Sequence, residues 1–235
     1  MDDSTAATMT LAITTGDLTT LRRLLTDHPE LASEHIERGT GTRTPLHIAA
    51  DWPGYFPEAP ASVRILLAAG ADPSARTTGG DNPETPLHWA ASSDDVEVAE
   101  ELINGGADIE APGGSIGSPL DNAVGYGCWN VARLLVQHGA RVDKLWQAAA
   151  LGMISRVEEF LVQDSTSEEI SDAFWQACHG GQRRAAELLL ARGADPTRTP
   201  GYASETPAQI AAAPDTRRST LVDWLTERVA APEGA

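Results

Sequence analysis

Lysine is nearly missing from this sequence: Lys144 stands alone among 235 residues. Lysine and arginine together number 17 against 34 acidic residues, a formal net charge of -17. A field of that sign repels phosphate backbones and anionic lipid surfaces. It excludes nucleic acid and membrane as expected partners, and it favours basic protein surfaces or cationic ligands. The lone lysine does not complete a Gly-x-x-x-x-Gly-Lys-Ser/Thr phosphate loop. Cysteine is almost as scarce. Cys128 and Cys178 lie 50 residues apart with no Cys-x-x-Cys, a usage that fits reduced thiols in a cytoplasmic protein, with the one intramolecular pairing left open. No apolar run approaches the roughly 20 residues that span a bilayer. The opening MDDSTAATMT lacks the basic-then-apolar pattern of a secretory signal. The six histidines include no pair at i, i+4 spacing around an acid, so neither a metal nor a cofactor is expected.

What the chain does have is self-similarity. Thr44-Pro45-Leu46-His47 and Thr85-Pro86-Leu87-His88 are copies of one tetrapeptide. Ser118-Pro119-Leu120-Asp121 and Thr206-Pro207-Ala208-Gln209 are partial copies. Gly70-Ala71-Asp72, Gly106-Ala107-Asp108, Gly139-Ala140-Arg141 and Gly193-Ala194-Asp195 form a second landmark. With the Leu87 slot as phase marker, Met9, Leu46, Leu87, Leu120, Leu145, Phe174 and Ala208 fall 37, 41, 33, 25, 29 and 34 residues apart. The physics of the unit is simple. Thr or Ser caps a first helix, and Pro fits its first turn, where no amide donor is lost. Alanine pairs such as Ala49-Ala50 and Ala211-Ala212 let helices approach closely. Leu-Leu pairs (Leu24-Leu25, Leu66-Leu67, Leu134-Leu135, Leu188-Leu189) give a second helix its apolar stripe, and a left-handed Gly ends it. No unit buries its apolar face alone, so units must stack.

The Thr-Pro-Leu-His signature and the step of about 33 residues resemble those of ankyrin repeats. The resemblance covers nearly the whole chain. It implies an all-α solenoid of helix-turn-helix units carrying β-turn fingers. We expect a single domain over 1–235, with repeats at 8–42, 43–83, 84–116, 117–143, 144–172, 173–204 and 205–230 and a short frayed tail at 231–235. Departures from the period locate loops. Extra residues fall at Asp51–Glu58 and at Thr77–Asn82. Fingers should be long at Arg76–Glu84, Ala111–Ser118 and Arg198–Glu205, and short near Asp143 and Ser165–Ser171. Gly16, Gly127, Gly152 and Gly181 mark the turns between paired helices.

Register also nominates a concave face, at two, five and six residues past each marker. It reads Ile48, Asp51 and Trp52; Trp89, Ser92 and Ser93; Asn122, Gly125 and Tyr126; Gln147, Ala150 and Leu151; Gln176, His179 and Gly180. Aromatics beside amides supply apolar area and orientation together, as a recognition surface requires. The competing reading is that some of them fill gaps between helices. The resemblance implies that His47 and His88 bridge backbone between neighbouring repeats. Asp121, in the same slot, is read as a cap or a binding group. Leu145-Trp146-Gln147-Ala148 and Phe174-Trp175-Gln176-Ala177 are near copies whose tryptophans should replace lost finger packing. Gly113-Gly114-Ser115-Ile116-Gly117 fits the G-x-S-x-G nucleophile pattern, but it sits in a finger and lacks the strand-to-helix elbow that chemistry needs.

Two functions follow. The resemblance implies a non-catalytic binding protein that grips a partner protein, and the negative field implies that this partner bears a basic patch. The candidate contacts are Trp52, Tyr55, Phe56, Trp89, Asn122, Tyr126, Gln147, Gln176 and His179, framed by Asp51, Asp81 and Glu84. The alternative is a small-molecule or catalytic groove, with Trp52–Phe56 folded over it as a lid and Asp51, Asp121, Tyr126 and His179 as acid, base or orienting groups. A closed apolar pocket between that insertion and Trp89/Tyr126 would distinguish it. A purely structural spacer is a third reading, indifferent to charge reversal on the concave face.

Overall fold

The computed structural model describes residues 2–39, 41–163, 165–213 and 219–230; the expected tail at 231–235 lies outside them. Tertiary contacts divide the chain into two units, Met1–Arg141 and Val142–Ala235. The first holds α1 (Asp3–Thr15), α2 (Leu18–Asp27), a 3-10 turn (Pro29–Ala32), β1 (Ile36–Arg38), β2 (Gly41–Arg43), α3 (Pro45–Ala49), α4 (Ala59–Ala68), α5 (Pro86–Ser93), α6 (Val96–Asn104), α7 (Pro119–Gly125) and α8 (Trp129–Gln137). The second holds α9 (Leu145–Ala150), α10 (Ile154–Leu161), α11 (Ser167–His179), α12 (Arg183–Ala191), α13 (Pro207–Ala211) and α14 (Ser219–Ala230). The strands β1 and β2 form one antiparallel hairpin with Ile36 opposite Arg43. Its Thr42 also bridges to Thr78 in the next finger, through Thr42 N–H to the Thr78 carbonyl at 2.9 Å.

Helices pair in sequence order, and the pairing follows from the local chemistry. In α3, α5, α7 and α13 a Thr or Ser N-cap precedes a proline at the first helical position. Five first helices, α1, α5, α7, α9 and α11, give way to a left-handed residue that turns the chain: Gly16, Asp94, Gly127, Gly152 and Gly181 all have positive φ, seven residues past their markers. Ala49, Ala50, Ala90, Ala91, Ala123, Ala148, Ala149 and Ala177 are fully buried between helices. The tightest approach is in the second unit. A Cβ on Gly180 would lie 2.0 Å from the Ala150 carbonyl oxygen, so α9 and α11 could not meet there with any other residue. From the second helices, Leu66, Leu102, Leu135 and Leu189 complete the core.

Asp94 occupies the turn slot that Gly16, Gly127, Gly152 and Gly181 fill in four other repeats, with φ of 53°. Its carboxylate accepts from Asn130 N (3.0 Å), Val131 N (2.9 Å) and Asn130 Nδ2 (2.7 Å), capping α8 of the following repeat. Asp95, next in sequence, caps α6 through Val98 N and also accepts from Tyr55 N at 2.7 Å. Adjacent acids thus tie the third repeat to both of its neighbours.

Three details differ from the sequence register. Leu145 is only half buried and Ala208 is exposed, so these markers do not share the buried role of Leu46, Leu87 and Leu120. Helix α9 starts one residue late, with Lys144 as N-cap. And Ser167–Ser171, expected in a shortened finger, is helical: α11 extends back over it, capped by Thr166 and Glu169.

Candidate functional site

The Thr-Pro-Leu-His tetrapeptide builds the floor of the finger groove in the first unit. Thr44 N–H donates to His47 Nδ1 at 3.1 Å, and Thr85 N–H does the same to His88 Nδ1. With Nδ1 accepting, the ring proton sits on Nε2. It donates to the Glu84 carbonyl from His47 (3.0 Å) and to the Gly117 carbonyl from His88 (3.1 Å). Each histidine therefore bolts its repeat to the next finger. Burial pushes the pKa of His47 down to about 4, against the opposing hydrogen bond to Glu84, and lowers that of His88 for the same reason. Gly114 is needed beside this bridge, because a Cβ there would sit 2.3 Å from the His88 ring.

On this floor sits Trp89, half exposed, its ring edge-on to His47 with centroids 5.0 Å apart. Arg43 and Asp51 form a largely buried ion pair beside it. Trp89, Arg43, Thr42, Thr78, Gly80 and Glu84 border a cavity of about 200 Å³ between the fingers. The Glu84 carboxylate accepts from Ser115 N (2.9 Å) and Asn122 Nδ2 (3.0 Å), and Asn122 Oδ1 accepts from Ile116 N (3.1 Å). One further residue rises from this network: Tyr126, 54% exposed, its hydroxyl 3.1 Å from Ser115 Oγ.

The other nominated residues fall elsewhere. Asn122, Gln147 and Gln176 are buried. Asn122 joins the fingers as described. Gln147 Oε1 accepts from Asp143 N (3.0 Å) and Lys144 N (3.1 Å), doing for the late-starting α9 what His47 does for α3. Gln176 Nε2 donates to the Tyr202 hydroxyl at 3.3 Å. His179 packs against Trp175 at 5.2 Å in the second unit, and burial lowers its pKa. Asp121 is a cap: its carboxylate accepts from Ser118 N at 2.8 Å and from Ser118 Oγ at 3.1 Å. Asp51 is engaged by Arg43. Ser115 lies in a finger, where its Oγ partner is Tyr126 and no histidine takes a base position among its hydrogen bonds.

The Trp52–Phe56 insertion links α3 to α4 and does not cover Trp89. Trp52 and Tyr55 are 77% and 60% exposed. Tyr55 and Phe56 border a different cavity, of about 530 Å³, that shares no residue with the finger cavity. The expected lid over Trp89 and Tyr126 is therefore not formed, because hydrogen bonds from Tyr55 to Asp95 and to the Asp94 carbonyl hold the loop against the α5–α6 turn. Among the described residues no three His, Cys, Asp or Glu are placed to hold a metal ion, and no helix is long and apolar enough to cross a membrane. Both cysteines are free and buried. Sequence reasoning passed over Arg43 and the Asp94-Asp95 pair; the signal available for the pair was an acid standing where other repeats carry glycine.

Repeated Thr-Pro-Leu-His caps, helix pairs and histidine bridges define a class, and comparison with known proteins agrees. Residues 55–144 match the family model "Ankyrin repeats (3 copies)". The chain contains ankyrin repeats and has the all-α ankyrin-repeat fold. It is 32% identical over 162 residues to "Ankyrin repeat and SOCS box protein 16" of Homo sapiens, a match covering 52% of this chain and 34% of that one. The mouse counterpart is matched over only 21% of its length, so the chain spans about a fifth to a third of these relatives. Among solved structures, the human ASB11 ankyrin repeat domain superposes with a TM-score of 0.56 at 21% identity, over 95% of this chain and 98% of that one. The ankyrin repeat domain of Bcl-3 does so with a TM-score of 0.54 at 24% identity, over 93% and 97%.

Proposed function

We propose that this chain is a non-catalytic binding protein that recognises a partner protein through the finger groove of its second to fourth repeats. The observation that carries this reading is Trp89, a half-exposed tryptophan set edge-on to a buried histidine between hydrogen-bonded fingers. A large ring already fixed in place loses little freedom on binding, the condition under which tryptophan and tyrosine dominate interface energetics. Tyr126 extends the same surface. The kinship with ankyrin-repeat proteins supports a scaffold or adaptor role. The net charge of -17 favours a partner with a basic patch and an association rate that falls with salt. Two buried free thiols support a reducing compartment, the cytoplasm.

The test is an affinity capture from the native host, comparing the wild type with Trp89→Ala/Tyr126→Ala, followed by titration of the purified partner. The double variant should lose at least on the order of 2 kcal/mol of binding while keeping its helical circular dichroism. A partner that binds both proteins equally would overturn the groove reading.

A further inference from the structure

The larger cavity lies between the second helices α4 and α6, beneath the loop Tyr55–Glu58. One wall is aromatic, made of Tyr55 and Phe56. Tyr55 is fixed there twice, by its amide on Asp95 and its hydroxyl on the Asp94 carbonyl. Tyr55 and Glu58 both hold left-handed backbone, with φ of 55° and 56°, which a residue with a side chain keeps only where its surroundings impose it. The α6 side is anionic. Glu97, Glu100 and Glu101 stand at i, i+3 and i+4 on α6 and so share one face, and Glu58 also lines the cavity. One guanidinium lines the cavity, that of Arg64, and it is paired with Glu101. Glu58, Glu97 and Glu100 enter no ion pair among the described residues.

We propose that this cavity receives an arginine side chain carried on a basic segment of a partner protein, at a surface separate from the finger groove. Aromatic faces beside unpaired carboxylates complement a guanidinium in particular. It is planar, it stacks on rings, and it meets carboxylates two bonds at a time, whereas an ammonium is a strongly hydrated point charge. The volume of about 530 Å³ exceeds the finger cavity and lies within the range of binding pockets. A metal ion is not the occupant the geometry favours, since no three acids here are placed as ligands among the described residues. Unbalanced carboxylates along one helix repel each other, and a bound cation removes that repulsion. The proposal does not depend on the groove reading.

The experiment uses a fluorescein-labelled Gly/Ser peptide carrying an Arg-Arg pair, with the same peptide bearing citrulline as neutral isostere. Anisotropy is read at about 0.15 M salt, where the Debye length is only about 8 Å and the bulk field of the protein is damped. Glu97→Gln/Glu100→Gln, two exposed positions, should weaken arginine-peptide binding by on the order of tenfold. Asp27→Asn/Glu37→Gln removes two exposed acids elsewhere and should stay within about twofold of wild type. Citrulline should bind more weakly than arginine. The proposal fails if the Asp27/Glu37 pair costs as much as the Glu97/Glu100 pair, which would make the bulk field responsible. It also fails if the Glu97/Glu100 pair changes nothing, or if wild type does not distinguish arginine from citrulline. Loss of peptide binding only in the Trp89/Tyr126 variant would place the basic partner in the finger groove instead.

Discussion

The indole Nε1 of Trp175 donates a 2.8 Å hydrogen bond to the carbonyl of Glu205. Glu205 stands three residues before the marker Ala208, as Glu84 stands before Leu87 and Gly117 before Leu120. These are the carbonyls that His47 and His88 reach with Nε2. Trp175 therefore performs the inter-repeat bridge with a different ring. Its near copy at Trp146 has no equivalent carbonyl to reach: three residues before Phe174 is Ser171, which lies inside α11, where carbonyls are committed to helical bonds. Trp146 instead stays half exposed beside Lys144, whose Nζ is 5.6 Å from the ring centroid.

Trp175→Phe should consequently lower stability by on the order of 1–2 kcal/mol, since it leaves the Glu205 carbonyl without its donor. Trp146→Phe should stay within about 0.5 kcal/mol of wild type. Urea midpoints at constant slope measure both. Equal costs for the two substitutions would contradict the bridging role.

Acid should weaken the fold through its histidines. Burial holds His47 near 4, against roughly 6.5 when unfolded. Between those values the unfolded chain takes up a proton that the folded chain refuses. Stability is thus complete above about pH 6.5 and is lost as pH falls toward 4, by on the order of 1.4 kcal/mol per pH unit for each such proton. The downward shifts of His88 and His179 act with the same sign. His47→Gln keeps an acceptor for Thr44 N, as Gln209 does for Thr206 N at 2.9 Å, and should flatten part of the acid slope in urea titrations from pH 7 to 4. An unchanged slope would argue that His47 is not held neutral.

Asp94 combines a left-handed backbone with a helix cap. Asp94→Gly relieves the backbone but removes the cap, for an expected net cost of about 1 kcal/mol. Asp94→Ala loses the cap and keeps the strain, so it should cost about 1 kcal/mol more. Thermal melts that rank alanine above glycine would overturn this account.

Deleting Pro53–Pro57 removes Tyr55, whose amide serves the buried Asp95 carboxylate. It also removes Pro57, whose carbonyl packs so closely on Gly16 that a Cβ there would lie 2.6 Å away. The insertion lies outside the helices, so helical circular dichroism should persist. Stability should nonetheless fall by on the order of 1–3 kcal/mol, because a buried carboxylate loses a donor. A wild-type melting temperature would show that the loop is merely appended.

The repeat architecture was legible because it is written in local chemistry. Thr-Pro caps, alanine pairs and turn glycines act over a few residues, and each predicts its own short helix without knowledge of its neighbours. The histidine bridge was legible only through the family resemblance, because the carbonyls it reaches lie 37 and 29 residues away in the chain. The candidate site was legible only in part. In the concave-face register, Tyr126 is exposed and Trp89 is half-buried. Asn122, Gln147 and Gln176 share that register, yet they turn inward onto Glu84, the α9 cap and Tyr202. A residue's position on a helix face states its direction and not the distance to the next finger.

By itself, then, the sequence determined the repeat, its period and its caps, because those depend on contacts between residues close in the chain. Tertiary structure decided which of two near-identical Trp-Gln pairs became a bridge and a buried amide, and which became a surface ring and a helix cap. It also decided that the aromatic insertion faces Asp94 and Asp95 rather than Trp89. The bridge, the Gln176 contact and the seat of the insertion depend on partners 26 to 40 residues away in the chain, about the length of one repeat, and no local pattern specifies what the neighbouring repeat will offer.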